Sequence, residues 1–150
     1  MKNVFLLSDS EEIIERIGHL SADTSPVWGK MNVGQMLAHC NVTYEMIFET
    51  KHAKPNTVAR FFLKMFVKNS VVNDIPYSKN GRTGPQFIIT EPKVFEEEKK
   101  RLIDYIQKTQ QLGAGYFEGK ESNSFGRLNF KEWNNMFYKH LDHHLSQFGV

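Results

Sequence analysis

Cysteine is almost missing from this chain: Cys40 stands alone among 150 residues. That excludes an internal disulfide framework and predicts a reducing compartment. Charge imbalance is missing too. The 19 Lys and Arg against 17 Asp and Glu leave a net charge of +2, too mild a field to predict a nucleic-acid partner. No apolar run approaches the ~18 residues that a spanning helix needs, so no membrane partner is expected. The opening segment MKNVFLLSDS has too short an apolar stretch for a secretory signal. Internal repeats and low-complexity tracts are absent. The expectation is one cytoplasmic domain over residues 1–150, long enough for a real core and too short for two.

What is present is apolar surface at helical spacing. Hydrophobic residues make up 40% of the chain and twelve residues are Phe. In SDSEEIIERIGHLS, Ser8 or Ser10 can cap a helix whose inward face is Ile13, Ile14, Ile17 and Leu20. Pro26 and Gly29 mark a connection. Asn32 with Gln35 then looks like a capping pair that opens a second helix, with Val33, Met36, Leu37, Cys40, Tyr44, Ile47 and Phe48 as its stripe. Residues 57–72 predict a shorter helix with Arg60, Lys64 and Lys68 on one face and Phe61, Phe62, Met65 and Phe66 on another. Residues 73–91, with Pro76, Gly81, Gly84 and Pro85, predict a long irregular loop. Thr90 and Pro92 start a further helix that Gly113 and Gly115 stop. The last helix starts near Asn129. Four long helices plus one short one predict an all-α bundle.

Three histidines stand out against this pattern. His140 and His144 are four residues apart, which on a helix places them roughly 40° apart and roughly 6 Å along the axis. Both fall within the apolar stripe Trp133, Met136, Phe137, Leu141, Leu145 and Phe148, opposite a polar face of Asn135, Lys139, Asp142 and Ser146. An inward imidazole needs a partner. His39 lies seven residues into the second helix, roughly 10 Å from its start. His144 lies at a comparable depth from the other end of the last helix. If the two helices run antiparallel, the three rings share one level and can hold an ion with open positions. An inward histidine is equally often a hydrogen-bonded core residue, and spacing alone leaves both readings open. His143 falls on a wetter flank with Lys139 and Gln147. His19 and His52 are expected to be solvent-facing or capping, and Cys40 to be core.

The segments PVWGKMNVGQMLAHC and FGRLNFKEWNNMFYKHLDHHLSQFG resemble the DinB/YfiT-like metalloenzymes, in a branch of unknown function. The resemblance covers essentially the whole chain. It implies a four-helix bundle of up-down-down-up topology, with a long crossover between helices two and three and here one extra short helix. It also implies a divalent metal (nickel, zinc or iron) held at positions matching His39, His140 and His144. Related proteins include S-transferases and an isomerase that use low-molecular-weight thiols. Relatives often carry a His-Pro pair before Phe125-Gly126, where this chain has Asn123 and Ser124.

The functional expectation is a metal-dependent transferase or hydrolase that activates a thiol or water toward a small electrophile. The 73–91 loop would cover the site, with Tyr77, Lys79 and Arg82 available to a small-molecule substrate that is anionic or a thiol. No general base can be named: Asp142 faces away from the stripe and Glu45 lies roughly a turn and a half from His39, while Tyr44 and Gln35 are candidates to line the site. The alternative is a non-enzymatic metal- or ligand-binding module acting through oligomerisation, with a homodimer as one form. A basic, Phe-bearing helix over 57–72 also fits a membrane surface, although the same pattern is the ordinary surface of a packed helix.

Overall fold

Two reciprocal capping pairs set the helices that matter most here. The Gln35 amide N–H donates to Asn32 Oδ1 (2.9 Å) and the Asn32 N–H donates back to Gln35 Oε1 (3.1 Å), which starts α2 (Val33–Phe48) as the sequence predicts. Asn129 and Glu132 make the same exchange at the start of α6 (Phe130–Gln147). These belong to a computed structural model that covers residues 1–150. Its architecture is mostly helical. The other elements are α1 (Leu7–Gly18), α3 (Thr57–Phe62), a π turn (Leu63–Val67), α4 (Lys68–Val72), a 3₁₀ turn (Pro85–Phe87), α5 (Phe95–Phe117) and a two-stranded ribbon, β1 (Glu121–Ser122) with β2 (Gly126–Arg127). No helix is long and apolar enough to cross a membrane.

Pairwise contacts fix the helix directions. Thr43 meets His140 and Tyr44 stacks on Phe137, while the Val27 N–H donates to the Gln147 carbonyl (2.8 Å). The contacts thus run in opposite order along α2 and α6. Along α2 and α5 they run in the same order: Asn41 to Glu98, then Glu45 to Arg101, then Glu49 to Tyr105. The same holds for α1 and α6, where Val4 meets Asn134 and Arg16 meets Asp142. The shared core includes Ile13, Ile17, Met36, Leu37, Leu102, Ile106, Trp133 and Leu141.

Several expectations need correction. Neither Ser8 nor Ser10 caps α1; the N-cap is Leu6, without a side-chain bond. Burial of Val4 and Phe5 draws the chain into the helix early, so Ser10 sits inside the first turn and donates to the Leu7 carbonyl. The third long helix starts at Phe95, beyond Thr90 and Pro92. Its regular backbone does break at Gly113, which takes φ 71°, ψ 170° as a kink that glycine tolerates, but the helix does not end there or at Gly115. Helix resumes to Phe117, whose fully buried ring packs on Phe5, Trp133 and Phe137. Over 57–72 the apolar face points outward: Phe61, Phe62, Met65 and Phe66 are all more than half exposed.

The largest correction lies on α6. Asn135 and Lys139, expected on its polar outer face, are buried. The chain leaving α4 lies across them. Lys139 Nζ donates to the Ser70 and Asn73 carbonyls and to Asn73 Oδ1 (2.8, 2.9 and 2.8 Å), and Asn135 Nδ2 donates to the Val72 carbonyl and Asp74 Oδ1. Burial pulls the Lys139 ammonium down to about 8. These bonds moor the crossover over the helix that carries His140 and His144.

Candidate metal centre

His39 from α2 and His140 with His144 from α6 converge, one ligand nitrogen from each lying within 4.8 Å of the others. Antiparallel packing puts His39 level with the last turns of α6, as the depth reading requires. His39 and His144 are buried and His140 is partly so. The group can hold a metal ion.

The hydrogen bonds show which nitrogens are offered. His39 Nδ1–H donates to the Phe87 carbonyl (2.8 Å), an acceptor only, which leaves the neutral ring's Nε2 as a lone pair. Gln147 Nε2 donates to the Trp28 carbonyl (2.8 Å), so Gln147 Oε1 is the atom that accepts from His144 Nδ1–H (2.8 Å). His144 therefore also keeps Nε2 bare. His140 Nδ1 lies 3.1 Å from the Thr43 hydroxyl, which can donate or accept. His39 Nε2 and His140 Nε2 are only 2.9 Å apart. Two bare lone pairs at that distance repel, and either a shared proton or a cation relieves them. Without an ion, Thr43 donates to His140 Nδ1 and His140 Nε2–H donates to His39. With one, His140 takes the other tautomer and donates to Thr43. The donor set fits a divalent ion bound by three neutral imidazoles, each oriented through its second nitrogen.

Electrostatics point the same way. Burial lowers the His39 pKa, with the Phe87 carbonyl opposing. Burial, then His144 and His39, hold His140 well below the usual imidazole range. Burial and His39 pull His144 down to about 3. All three rings are therefore neutral at pH 7, the form a metal requires.

A cavity of about 450 Å³ opens over these rings. Its walls come from α2, the inner face of 57–72 (Leu63, Val67, Val71), the 73–91 loop and the ribbon residues Ser122–Phe125. The loop flanks the site as expected. Phe87 packs on His39 and His140, and Tyr77 and Arg82 line the cavity. Lys79 instead lies over the Trp28 ring (4.2 Å). Asn123 and Ser124 do face the cavity.

Other candidates fall outside the group. His143 is half-buried, edge-on to Trp28, Tyr77 and His144, and borders the cavity without joining the three-nitrogen cluster. Cys40 is core, its thiol pushed up by burial. Tyr44 is core, stacked between Tyr105 and Phe137. Gln35 is occupied by its cap and the Thr90 carbonyl, and Asp142 by Arg16. Glu45 takes His52, Lys51 and Arg101. Burial pushes its carboxyl up, but those three partners outweigh this and hold it low. His52 is thus a hydrogen-bond partner of Glu45 rather than a solvent-facing group.

Thr43, Gln147 and Phe87 escape the sequence reading. Thr43 sits one turn after His39 and Gln147 one turn after His144, so helical spacing could have found both. Phe87 acts through its carbonyl, which leaves no signal in a side-chain pattern. Gly29 supports Gln147: its φ of +87° suits glycine, and a Cβ there would lie 2.3 Å from Gln147 Nε2. Comparison with curated proteins and with solved structures finds no match. Residues 3–149 match the family described as "Protein of unknown function (DUF1569)", and the chain belongs to that family.

Proposed function

We propose that this protein is a metal-dependent enzyme of transferase or hydrolase type, acting on a small electrophile in the cavity over His39, His140 and His144. The observation that carries the reading is three neutral imidazoles with their Nδ1 atoms engaged and their remaining nitrogens gathered on the floor of a cavity. Three protein ligands leave a position open, whereas a structural ion is usually closed by a fourth. A divalent ion bound there supplies positive charge that acidifies a water or thiol and polarises an electrophile. We take nickel, zinc or iron as the candidates and a low-molecular-weight thiol as a candidate cosubstrate.

The chain's own residues do the rest. Phe87, Gln147 and Thr43 orient the rings, and Phe87 with the 73–91 loop shields them from bulk water. His143 is the remaining imidazole on the cavity wall. Burial lowers its pKa, so it is a base at pH 7 and takes the proton that an attacking thiol or water releases. The order of contacts among α1, α2, α5 and α6 supports the up-down-down-up bundle of the DinB/YfiT-like metalloenzymes, with 57–72 as the extra helix in the crossover.

Metal analysis of untagged protein tests the assignment. His39→Ala, His140→Ala and His144→Ala should each lose the ion, and His143→Ala should keep it. Equal loss in His143→Ala would refute the ligand set. Titrating thiols into cobalt-loaded protein tests the chemistry: a changed visible spectrum supports the transferase form, and none with any common thiol leaves hydrolysis.

A second reading draws on the exposed Phe61, Phe62, Met65 and Phe66, a contiguous apolar face of the kind that marks interaction surfaces. In it the protein is a ligand-binding module that works as a homodimer. Light scattering of the wild type and of Phe62→Ser/Phe66→Ser separates the two readings: a monomer in both cases removes the second.

A further inference from the structure

Charge on the cavity wall has one sign. No Asp, Glu or Lys lines it, and Arg82 is its one permanently charged side chain. Arg82 sits at the rim on the loop beside Gly81, exposed and free of any ion pair within the protein. Below it the wall turns apolar, with Ile47, Leu63, Val67, Val71 and Met136. Trp133 also lines this space. It is 1% exposed, yet its indole N–H finds no acceptor in the protein. A buried donor without a partner is costly. The volume falls within the ~300–1,000 Å³ typical of small-molecule sites, which likewise combine apolar walls with a few placed polar groups.

We propose that the cavity takes a small amphipathic anion, its anionic group at Arg82, its apolar body along Ile47, Val67 and Met136, and its reacting end toward the histidines. A neutral ligand would leave the Arg82 guanidinium without its fork-shaped recognition of carboxylate or phosphate. A cationic ligand would meet Arg82 with nothing to offset the repulsion. The inference rests on the cavity being the substrate site and names the class of that substrate.

The test uses octanoate, octanol and octylammonium as probes on metal-free protein. A Trp28→Phe background leaves Trp133 as the sole indole, because the chain has two Trp. Fluorescence titration should show octanoate binding at least ten-fold tighter than octanol, and octylammonium weakest. Arg82→Gln, an exposed loop change that should not disturb folding, should bring octanoate down to octanol and leave octanol unchanged. Arg82→Lys should retain part of the preference. Equal binding of the three probes, or an octanoate preference that survives Arg82→Gln, would overturn the proposal, as would binding that leaves Trp133 unaffected. The same titration on His144→Gln keeps the two readings apart. Octanoate selectivity there, with metal lost, supports the ligand class independently. Metal retained in the wild type with no selectivity overturns the class and leaves the metal site standing.

Discussion

Acidifying the metal-free protein should destabilise it in a window where only its histidines respond. An unfolded chain protonates imidazoles near pH 6.5, whereas His39, His140 and His144 have lowered pKa values in the fold. Between those limits the unfolded state binds more protons, so stability is fully present above about pH 6.5 and falls as pH falls. Each such ring contributes a slope of up to about 1.4 kcal/mol per pH unit while the pH stays above its folded value, and three contribute at most about 4. His143, also lowered, adds up to one more share, discounted because it is half-exposed. A domain of this size is stable by about 5–15 kcal/mol, so two or three pH units below 6.5 should exhaust it. With a urea dependence of about 2 kcal/mol per M, the unfolding midpoint should drop about 2 M per pH unit. Urea melts at pH 7, 6.5, 6, 5.5 and 5 measure this. Those values stay above the range in which Glu45, held low by its ion pairs, begins to be protonated. Replacing His144 by Gln should remove about a third of the slope, and His39→Gln a similar part. A slope that is the same in wild type and both variants would show that the buried rings are not the groups that titrate.

Other outcomes follow from the same geometry. Zinc or nickel at about 100 times its Kd should raise Tm by about 5–10 °C at pH 7, following ~2.7 kcal/mol of linkage, and should do nothing for a variant lacking all three histidines; calorimetry reads both. Thr43→Val removes the hydroxyl that follows the His140 tautomer and should weaken metal binding about 10–100-fold, measured by competition with a chromogenic chelator. Gly29→Ala should drive Gln147 from His144, because the new Cβ meets Gln147 Nε2; metal affinity should fall along with stability, and stability loss alone would count against Gln147 as the orienting group. Lys139→Met leaves the Ser70 and Asn73 carbonyls unpartnered and should cost about 3 kcal/mol in urea melts.

What the sequence disclosed was whatever repeats locally. The Asn32–Gln35 cap needs four consecutive residues, and the His140–His144 pair needs one helical turn. The reach to His39 needed only a depth estimate and an antiparallel partner. What stayed hidden depends on distant chain. Asn135 and Lys139 belong on a polar face until the segment after Val72 is laid over them, and their own neighbours in sequence say nothing of that. Phe61 and Phe66 look like core residues, yet the inner side of their helix is taken by Leu63, Val67 and Val71, which wall the cavity. Gly113 carries the signal of a helix end, but Phe117 anchors the following turn in the core. The β1–β2 ribbon is too short to leave a period-two pattern.

The antiparallel pairing of α2 with α6 also has a consequence for biosynthesis. His39 is made about a hundred residues before His140 and His144. A nascent chain therefore offers an ion no more than one of the three imidazoles, and metal cannot template the fold. Loading must follow synthesis of α6. Until then α2, buried on nearly every side from Val33 to Glu45 in the finished protein, is a largely apolar helix awaiting its partner. Such a segment is prone to aggregate while it waits. Yield of soluble protein should therefore depend on how quickly the last helix is delivered and on chaperone supply, and little on metal in the growth medium.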